Sequence, residues 1–521
     1  MGKSISIEAK IGQLLMFGFD GTQVTPFLRR FITEYNLGGV IHFSRNISGL
    51  QQLKNLNCEL QELTEESPSG TPLFIAADQE GGTIARVTKG VAVAPSAMAL
   101  GATKSEILTE DVCTVSAVEL RATGINMNLA PVLDVNNNPD NPVIGVRSFG
   151  EDPRDVANLG AAAIRGYQRY VAAVAKHFPG HGDTSLDSHH ELPVISHDRK
   201  RLDLVELVPF RKAIDTRVTG IMTSHVVFPA IEPMEGLPAT LSHEVLTKLL
   251  RHELGFEGLI MTDCMEMRAI TDTFGTVDAA VMTILAGADI VIISHTEKLQ
   301  KQAFDALVAA VKSGRISEDR IDESVARVIK AKERCHLMGA SPEPPALSVV
   351  GSKEHVEVMR EAIRRSITVV KDRPAESNLP LGNERVLVIE FQTSASNRAE
   401  DVLLGMETLA NALRRNGLAQ MDGMTVGIGV SKEKHQDVLE RAREYDKIVV
   451  ATSDAHRNLG QAKLVQDLIK EHDKIIAVGT RTPYELKVFP EIPTYIAAYG
   501  SRPLVWDEIS RLLLGTVPQS L

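Results

Sequence analysis

The segment KHFPGHGDTSLDSHHELP, residues 176–193, holds four of the chain's fifteen histidines together with two aspartates. Three chemistries fit such a cluster. Metal binding would use His177 and His181, spaced i, i+4, with His189 and the aspartates completing the site. That spacing pairs ligands only on a helix, and the intervening Phe178-Pro179-Gly180 forbids one. A structural use would tie a tight loop to itself, with His181 and His190 as candidates. The third use is acid–base chemistry. Asp187 stands two residues before His189, and in a looped backbone its carboxylate can hold the imidazole's tautomer and favour a proton donor. A lone D-x-H is a common tripeptide, but it gains weight from a second carboxylate, Asp263 in GLIMTDCMEM. A nucleophilic carboxylate facing a proton donor is the arrangement of a retaining glycosidase.

The elements that must position these residues are visible as short apolar runs. Eight strands are predicted: 14–19, 38–43, 73–78, 125–135, 171–178, 220–228, 258–265 and 288–294. Their near-continuous apolar character fits strands buried on both faces. Helical patterns separate most of them, as over 105–124 and 204–218. Strands alternating with helices predict a (β/α)8 TIM-type barrel, with a doubly wound open sheet as the alternative. Asp78, Asp134, Lys176, His177, His225, Asp263 and His295 fall at or just past the C-terminal ends of these strands. In a barrel those ends converge on one face, where active sites are built.

A Pro-, Ser- and Gly-rich stretch, 338–351, follows a predicted helix over 317–337. The expected organisation is a catalytic barrel over 1–337, a linker region over 338–365 and a smaller α/β sandwich over 366–521. The sandwich strands are read at 366–372, 385–391, 424–430, 447–452, 474–480 and 494–500, with a helix over 432–446. Neither a dinucleotide-binding nor a P-loop glycine motif occurs, and no cofactor is expected.

A length of 521 residues fits two cores, and 43% apolar with 24% charged residues is ordinary for a globular protein. The net charge of −11 argues against a nucleic-acid partner, which needs a basic surface. No apolar run approaches membrane-spanning length, so no membrane partner is expected. The four separated cysteines form no C-x-x-C, which fits buried thiols in a reducing compartment, and the expected location is cytoplasmic.

The segment 176–193 resembles the signature of glycoside hydrolase family 3 β-N-acetylglucosaminidases, K-H-F-P-G-H-G-D-T-x-x-D-S-H-x-x-L-P. AADQEGG (76–82), NLAPVLDV (128–135), RSFGEDP (147–153) and MTDCMEM (261–267) are similar to further family segments. The resemblance implies that Asp263 is the nucleophile, and that His189, oriented by Asp187, is the acid/base. It implies that Asp78, Arg86, Arg147, Lys176 and His177 bind the terminal sugar. The implied reaction is removal of terminal β-linked GlcNAc from a muropeptide or chitin-type oligosaccharide, without metal. Alternatives are a family 3 phosphorylase, a β-glucosidase or, in another class, a metal-dependent hydrolase using the histidines. Bland readings remain for two cations: Arg147 could pair with Glu151 or Asp152, and Lys176 with a carboxylate of a neighbouring strand. Thr83 stands where the family often has arginine after QEGG. A histidine acid/base, unlike a carboxylate, would tolerate an acidic substrate or an attacking phosphate.

Overall fold

The computed structural model describes residues 5–185, 192–339, 343–372, 379–392, 407–427 and 429–517. Eight parallel strands close a barrel. They are β1 (Leu15–Phe17), β2 (Gly39–His42), β3 (Phe74–Ala77), β6 (Met127–Asn128), β7 (Ala172–Phe178), β8 (Gly220–Thr223), β9 (Leu259–Cys264) and β10 (Ile290–Ile293). Pairing of β1 with β10 completes the ring and excludes the open-sheet alternative. A two-stranded hairpin, β4 (Gln79–Gly81) and β5 (Ile84–Ala85), follows β3 on the C-terminal side.

The apolar runs become strands because both faces are covered. Met16, Phe74, Met127, Val174, Met261 and Ile292 fill the interior, while Phe17, Ile75, Ala173, Ile260 and Ile293 pack outward against the helices. This alternation follows from the two-residue period of a strand. The run 125–135 yields only the two residues of β6. Beyond it the chain stays beside β7, which donates from Val174 N to the Ala130 carbonyl and from Lys176 N to the Pro131 carbonyl, with one isolated bridge, Val132 to Lys176. The helix read over 204–218 forms as Leu207–Asp215, and a separate short helix, Arg199–Leu204, precedes it.

The second sheet has the order β11-β16-β15-β14-β12-β13. Its strands are β11 (Thr368–Asp372), β12 (Val386–Phe391), β13 (Met421–Val426), β14 (Lys447–Thr452), β15 (Ile475–Gly479) and β16 (Thr494–Ala497). All neighbours are parallel except β11 with β16. Leu387 and Ile389 face one covering layer, and Val386 and Val388 the other. β13 begins three residues before the run read at 424–430. As an edge strand it alternates buried and exposed residues instead of burying both faces. Residues 353–366 form a helix, Lys353–Ser366, inside the stretch read as linker. Met98, Ala99 and Val146 of the barrel domain, on a helix and a 3-10 turn, join the apolar cluster on one face of the second sheet, so the two domains share a packed contact.

At the barrel's N-terminal end, buried Lys332 reaches Gln13 Oε1 at 2.9 Å and the Gly38 carbonyl at 3.0 Å. Burial pushes its ammonium down to about 7. In the second domain, buried Glu485 accepts hydrogen bonds from Ala455 N (2.8 Å), Thr452 Oγ1 and Tyr495 Oη. Burial, reinforced by the nearby Asp454 carboxylate, pushes Glu485 up to about 7 against those hydrogen bonds. The folded chain therefore keeps this proton to higher pH than the unfolded chain, whose glutamate titrates near 4.5. Its contribution to stability is complete below that value and is lost as pH rises to about 7. Glu485→Gln is expected to flatten the fall in Tm between these two pH values and to be more stable than the parent at pH 8. Calorimetric melts across that range check it, and an unchanged slope refutes it.

Candidate active site

The C-terminal ends of the barrel strands surround a cavity of about 370 Å³, and Asp78, Arg86, Arg147, Lys176, His177 and Asp263 all line it. Asp78 follows β3, Arg86 follows β5, Lys176 and His177 end β7, and Asp263 lies on β9. Arg147 ends a short 3-10 turn, Gly145–Arg147.

Buried charge organises this wall. Lys176, only 3% exposed, lies 2.7 Å from Asp78 Oδ1 and 2.7 Å from Glu80 Oε1. Glu80 also takes both 2.9 Å bonds of a fork from Arg147 Nε and Nη2. Arg86 Nη2 approaches Asp78 Oδ2 at 3.4 Å. Burial would raise the Asp78 and Glu80 carboxyls, but their cations outweigh it and hold both below the usual carboxylate range. Burial would likewise strip Lys176 and Arg147 of their protons, and the same carboxylates keep both above their ordinary values. The alternative partners for Arg147 are not used in this way. Its fork goes to Glu80, and Asp152 instead caps the helix Pro153–Tyr167.

His177 is held by Asp134, which follows β6. The carboxylate accepts from the ring Nδ1 at 2.7 Å and from the His177 N–H at 3.2 Å. Arg147 Nη2 lies 3.4 Å from Nε2. Asp134 can only accept and Arg147 can only donate, which assigns the hydrogen to Nδ1. His181 donates its N–H to the same Asp134 at 2.7 Å, and its ring Nδ1 meets Thr184 Oγ1 at 2.9 Å. Burial, with His177 beside it, pushes His181 down to about 4. The two histidines of the i, i+4 pair thus spend ring nitrogens on loop partners. Among the described residues, no group of three or more His, Cys, Asp or Glu is arranged to hold a metal ion.

Asp263 Oδ1 accepts from the Cys264 N–H at 2.7 Å. His225, also at a strand end, bonds the Cys264 carbonyl at 3.0 Å and steadies the same turn. Cys264 lines the cavity as well, and burial pushes its thiol up to about 12, so it stays protonated. His295 and Arg268 lie at the cavity wall as well. Asp187, His189 and His190 lie outside the described residues.

Sequence reasoning placed Asp134 only as a strand-end carboxylate on the site face, without a role, and did not place Glu80 at all. Both sit inside quoted motifs, AADQEGG and NLAPVLDV, but nothing in a motif marks which carboxylate turns toward a buried cation. Thr83, the departure after QEGG, lines a separate cavity between the domains, where Arg502 of the second domain donates from Nε to the Gly82 carbonyl.

The chain matches the glycosyl hydrolase family 3 N-terminal domain over residues 6–331. This chain belongs to glycosyl hydrolase family 3. A family 3 β-N-acetylglucosaminidase of known structure from Paenibacillus sp. str. FPU-7 is 40% identical. It superposes with a TM-score of 0.92, covering 99% of this chain and 98% of that one. Beta-hexosaminidase A of Pseudoalteromonas piscicida is 32% identical over 512 residues, covering 92% of this chain and 85% of its own length. A β-N-acetylglucosaminidase/β-glucosidase of Cellulomonas fimi is 29% identical, covering 98% and 92% respectively. The protein is a glycoside hydrolase, and its barrel and second sheet are the family 3 fold.

In this family 3 enzyme Glu80 serves two buried cations at once. Removing one member of such a cluster leaves uncompensated charge, at a cost of about 3–5 kcal/mol. Glu80→Gln is expected to lose stability on that order and to raise KM at least about tenfold through misplaced Arg147 and Lys176. Denaturant melts and initial-rate kinetics check this. Parental stability and KM would show that the cluster does not depend on Glu80.

Proposed function

We propose that this enzyme is a retaining exo-β-N-acetylglucosaminidase that removes terminal β-linked GlcNAc from muropeptide or chitin-type oligosaccharides. The observation that carries the reading is one cavity holding Asp263 together with five polar groups suited to a sugar's hydroxyls and acetamido group. A pocket floored by the barrel core suits a chain end more than a chain interior. The near-complete overlap with the Paenibacillus β-N-acetylglucosaminidase supports the acetamido sugar.

In the first step an Asp263 carboxylate oxygen attacks the anomeric carbon. The bond from that carbon to the leaving oxygen breaks, and His189 gives the leaving oxygen its proton. The product is a glycosyl ester on Asp263. In the second step His189 removes a proton from water, water oxygen bonds the anomeric carbon, and the ester opens to free Asp263. Asp187 orients the imidazole. Asp78 accepts from sugar hydroxyls while Arg86, Arg147, Lys176 and His177 fix its position and that of the sugar. The hydroxyl bonds to the Asp78 carboxylate are charge-assisted and can strengthen as positive charge develops on the ring.

The test compares nitrophenyl β-N-acetylglucosaminide with the β-glucoside, with a chelator present and phosphate varied. Strong preference for the acetamido sugar, insensitive to chelator and to phosphate, is expected. Loss of rate to the chelator would favour a metal hydrolase, and a rate that rises with phosphate would favour phosphorolysis. Asp263→Asn is expected to lower kcat by roughly 10³-fold or more. Peptide mass mapping after a 5-fluoro glycosyl fluoride should show an adduct in the peptide holding Asp263. Turnover near the parental level in Asp263→Asn would overturn the mechanism.

A further inference from the structure

The chain between β6 and the helix Pro153–Tyr167 has the site on one side and the second domain on the other. On the site side, Asn141 is almost wholly buried. Its Nδ2 donates to the carbonyls of His181 and Gly182, each at 2.9 Å, and lies 3.3 Å from Thr184 Oγ1. Its Oδ1 accepts from Val143 N (2.9 Å) and Ile144 N (2.8 Å). Asn138 Nδ2 donates to the Thr184 carbonyl at 3.2 Å. The two loops touch backbone to backbone: a Cβ on Gly182 would fall 1.8 Å from the Val135 carbonyl oxygen. The position of His181–Thr184 is therefore set by residues 134–141.

On the other side, the second domain grips the same residues. Asn136 Nδ2 donates to Tyr484 Oη at 3.0 Å, and Asn136 Oδ1 accepts from Gly145 N at 3.1 Å. His456 Nε2 donates to the Pro139 carbonyl at 3.1 Å, and its ring packs edge-on against Tyr484 at 5.8 Å. Asp454 fixes the turn that carries Tyr484, accepting from Arg481 Nε and Thr482 Oγ1 at 2.8 Å each. These residues lie just past β14 and β15, at the C-terminal ends of that sheet.

We propose that Tyr484 and His456 are positioning residues for catalysis. They hold residues 136–141, and through Asn138 and Asn141 they set the stem His181–Thr184, from which the chain runs on to Asp187 and His189. The inference rests on the reading of His189 as the acid/base. A plain interface would contribute stability only. A positioning role adds a signature, because a displaced acid hurts poor leaving groups and spares good ones.

The experiment uses the full chain with Tyr484→Phe, His456→Ala and the two combined, with His456→Gln as the conservative variant that can still donate to the Pro139 carbonyl. kcat/KM is measured for the GlcNAc disaccharide and for the 2,4-dinitrophenyl glycoside, whose phenolate leaves without a proton. At unchanged Tm, the combined variant is expected to lose about tenfold or more on the disaccharide and less than about twofold on the dinitrophenyl substrate. His456→Gln should recover most of the single variant's loss. Equal losses on both substrates, or none, would overturn the proposal. His189→Ala is the control: if it spares the disaccharide, the acid/base reading fails. Amide exchange over residues 177–184 then still decides the coupling. Exchange about tenfold faster there, and unchanged elsewhere in the barrel, is expected for the combined variant, and parental protection overturns the proposal.

Discussion

Two lysines buried at opposite ends of one barrel show what the site depends on. Lys332 meets an amide oxygen and a carbonyl, and burial pushes its ammonium down to about 7. Lys176 is as deeply buried but faces Asp78 and Glu80, and it is held above its ordinary value. Desolvating an ion costs several kcal/mol even after relaxation, so a cation survives in a barrel mouth only where carboxylates are fixed beside it. The hairpin after β3 exists to supply them. It carries Glu80 back over the strand ends, where one carboxylate neutralises Lys176 and forks onto Arg147.

That arrangement explains how the site is organised outward. Glu80 holds Arg147, Arg147 lies against His177, Asp134 fixes both His177 and the start of the next turn, and Asn141 fixes the carbonyls of that turn. Each step is a directional bond in a buried setting, where geometry is enforced more strictly than at a wet surface. A defect two residues removed from the cavity is therefore transmitted to its wall.

Much of the fold was legible because the barrel strands bury both faces and so read as apolar runs. The reading failed where that condition fails. β6 is a regular strand for only two residues, after which the chain follows β7 through separate backbone bonds, and β13 is an exposed edge that alternates. In the site, Asp78, Arg86, Arg147, Lys176, His177 and Asp263 were legible from strand-end placement and from the motifs. Glu80 was not, and Asp134 was legible only as a strand-end carboxylate without a role, because choosing among neighbouring carboxylates requires knowing which group lies across the barrel mouth. Tyr484 and His456 were further out of reach. They follow strands of another sheet, more than 300 residues along the chain from Asn136 and Pro139.

The same electrostatics constrain how the enzyme responds to pH. Asp78 and Glu80 are held below the usual carboxylate range, Lys176 and Arg147 above theirs, and His181 is down at about 4. Between about pH 5 and 8 none of these five groups changes charge. The charged cluster of Asp78, Glu80, Lys176 and Arg147 is thus electrostatically constant across the range in which a histidine acid/base would titrate. A bell-shaped kcat/KM profile there would not report the titration of that cluster. Substituting Glu80 removes that separation, because Lys176 and Arg147 lose the carboxylate that holds their charge. The basic limb would then mix binding with chemistry, so a cluster built of pre-paired charges is also what keeps the two functions distinct.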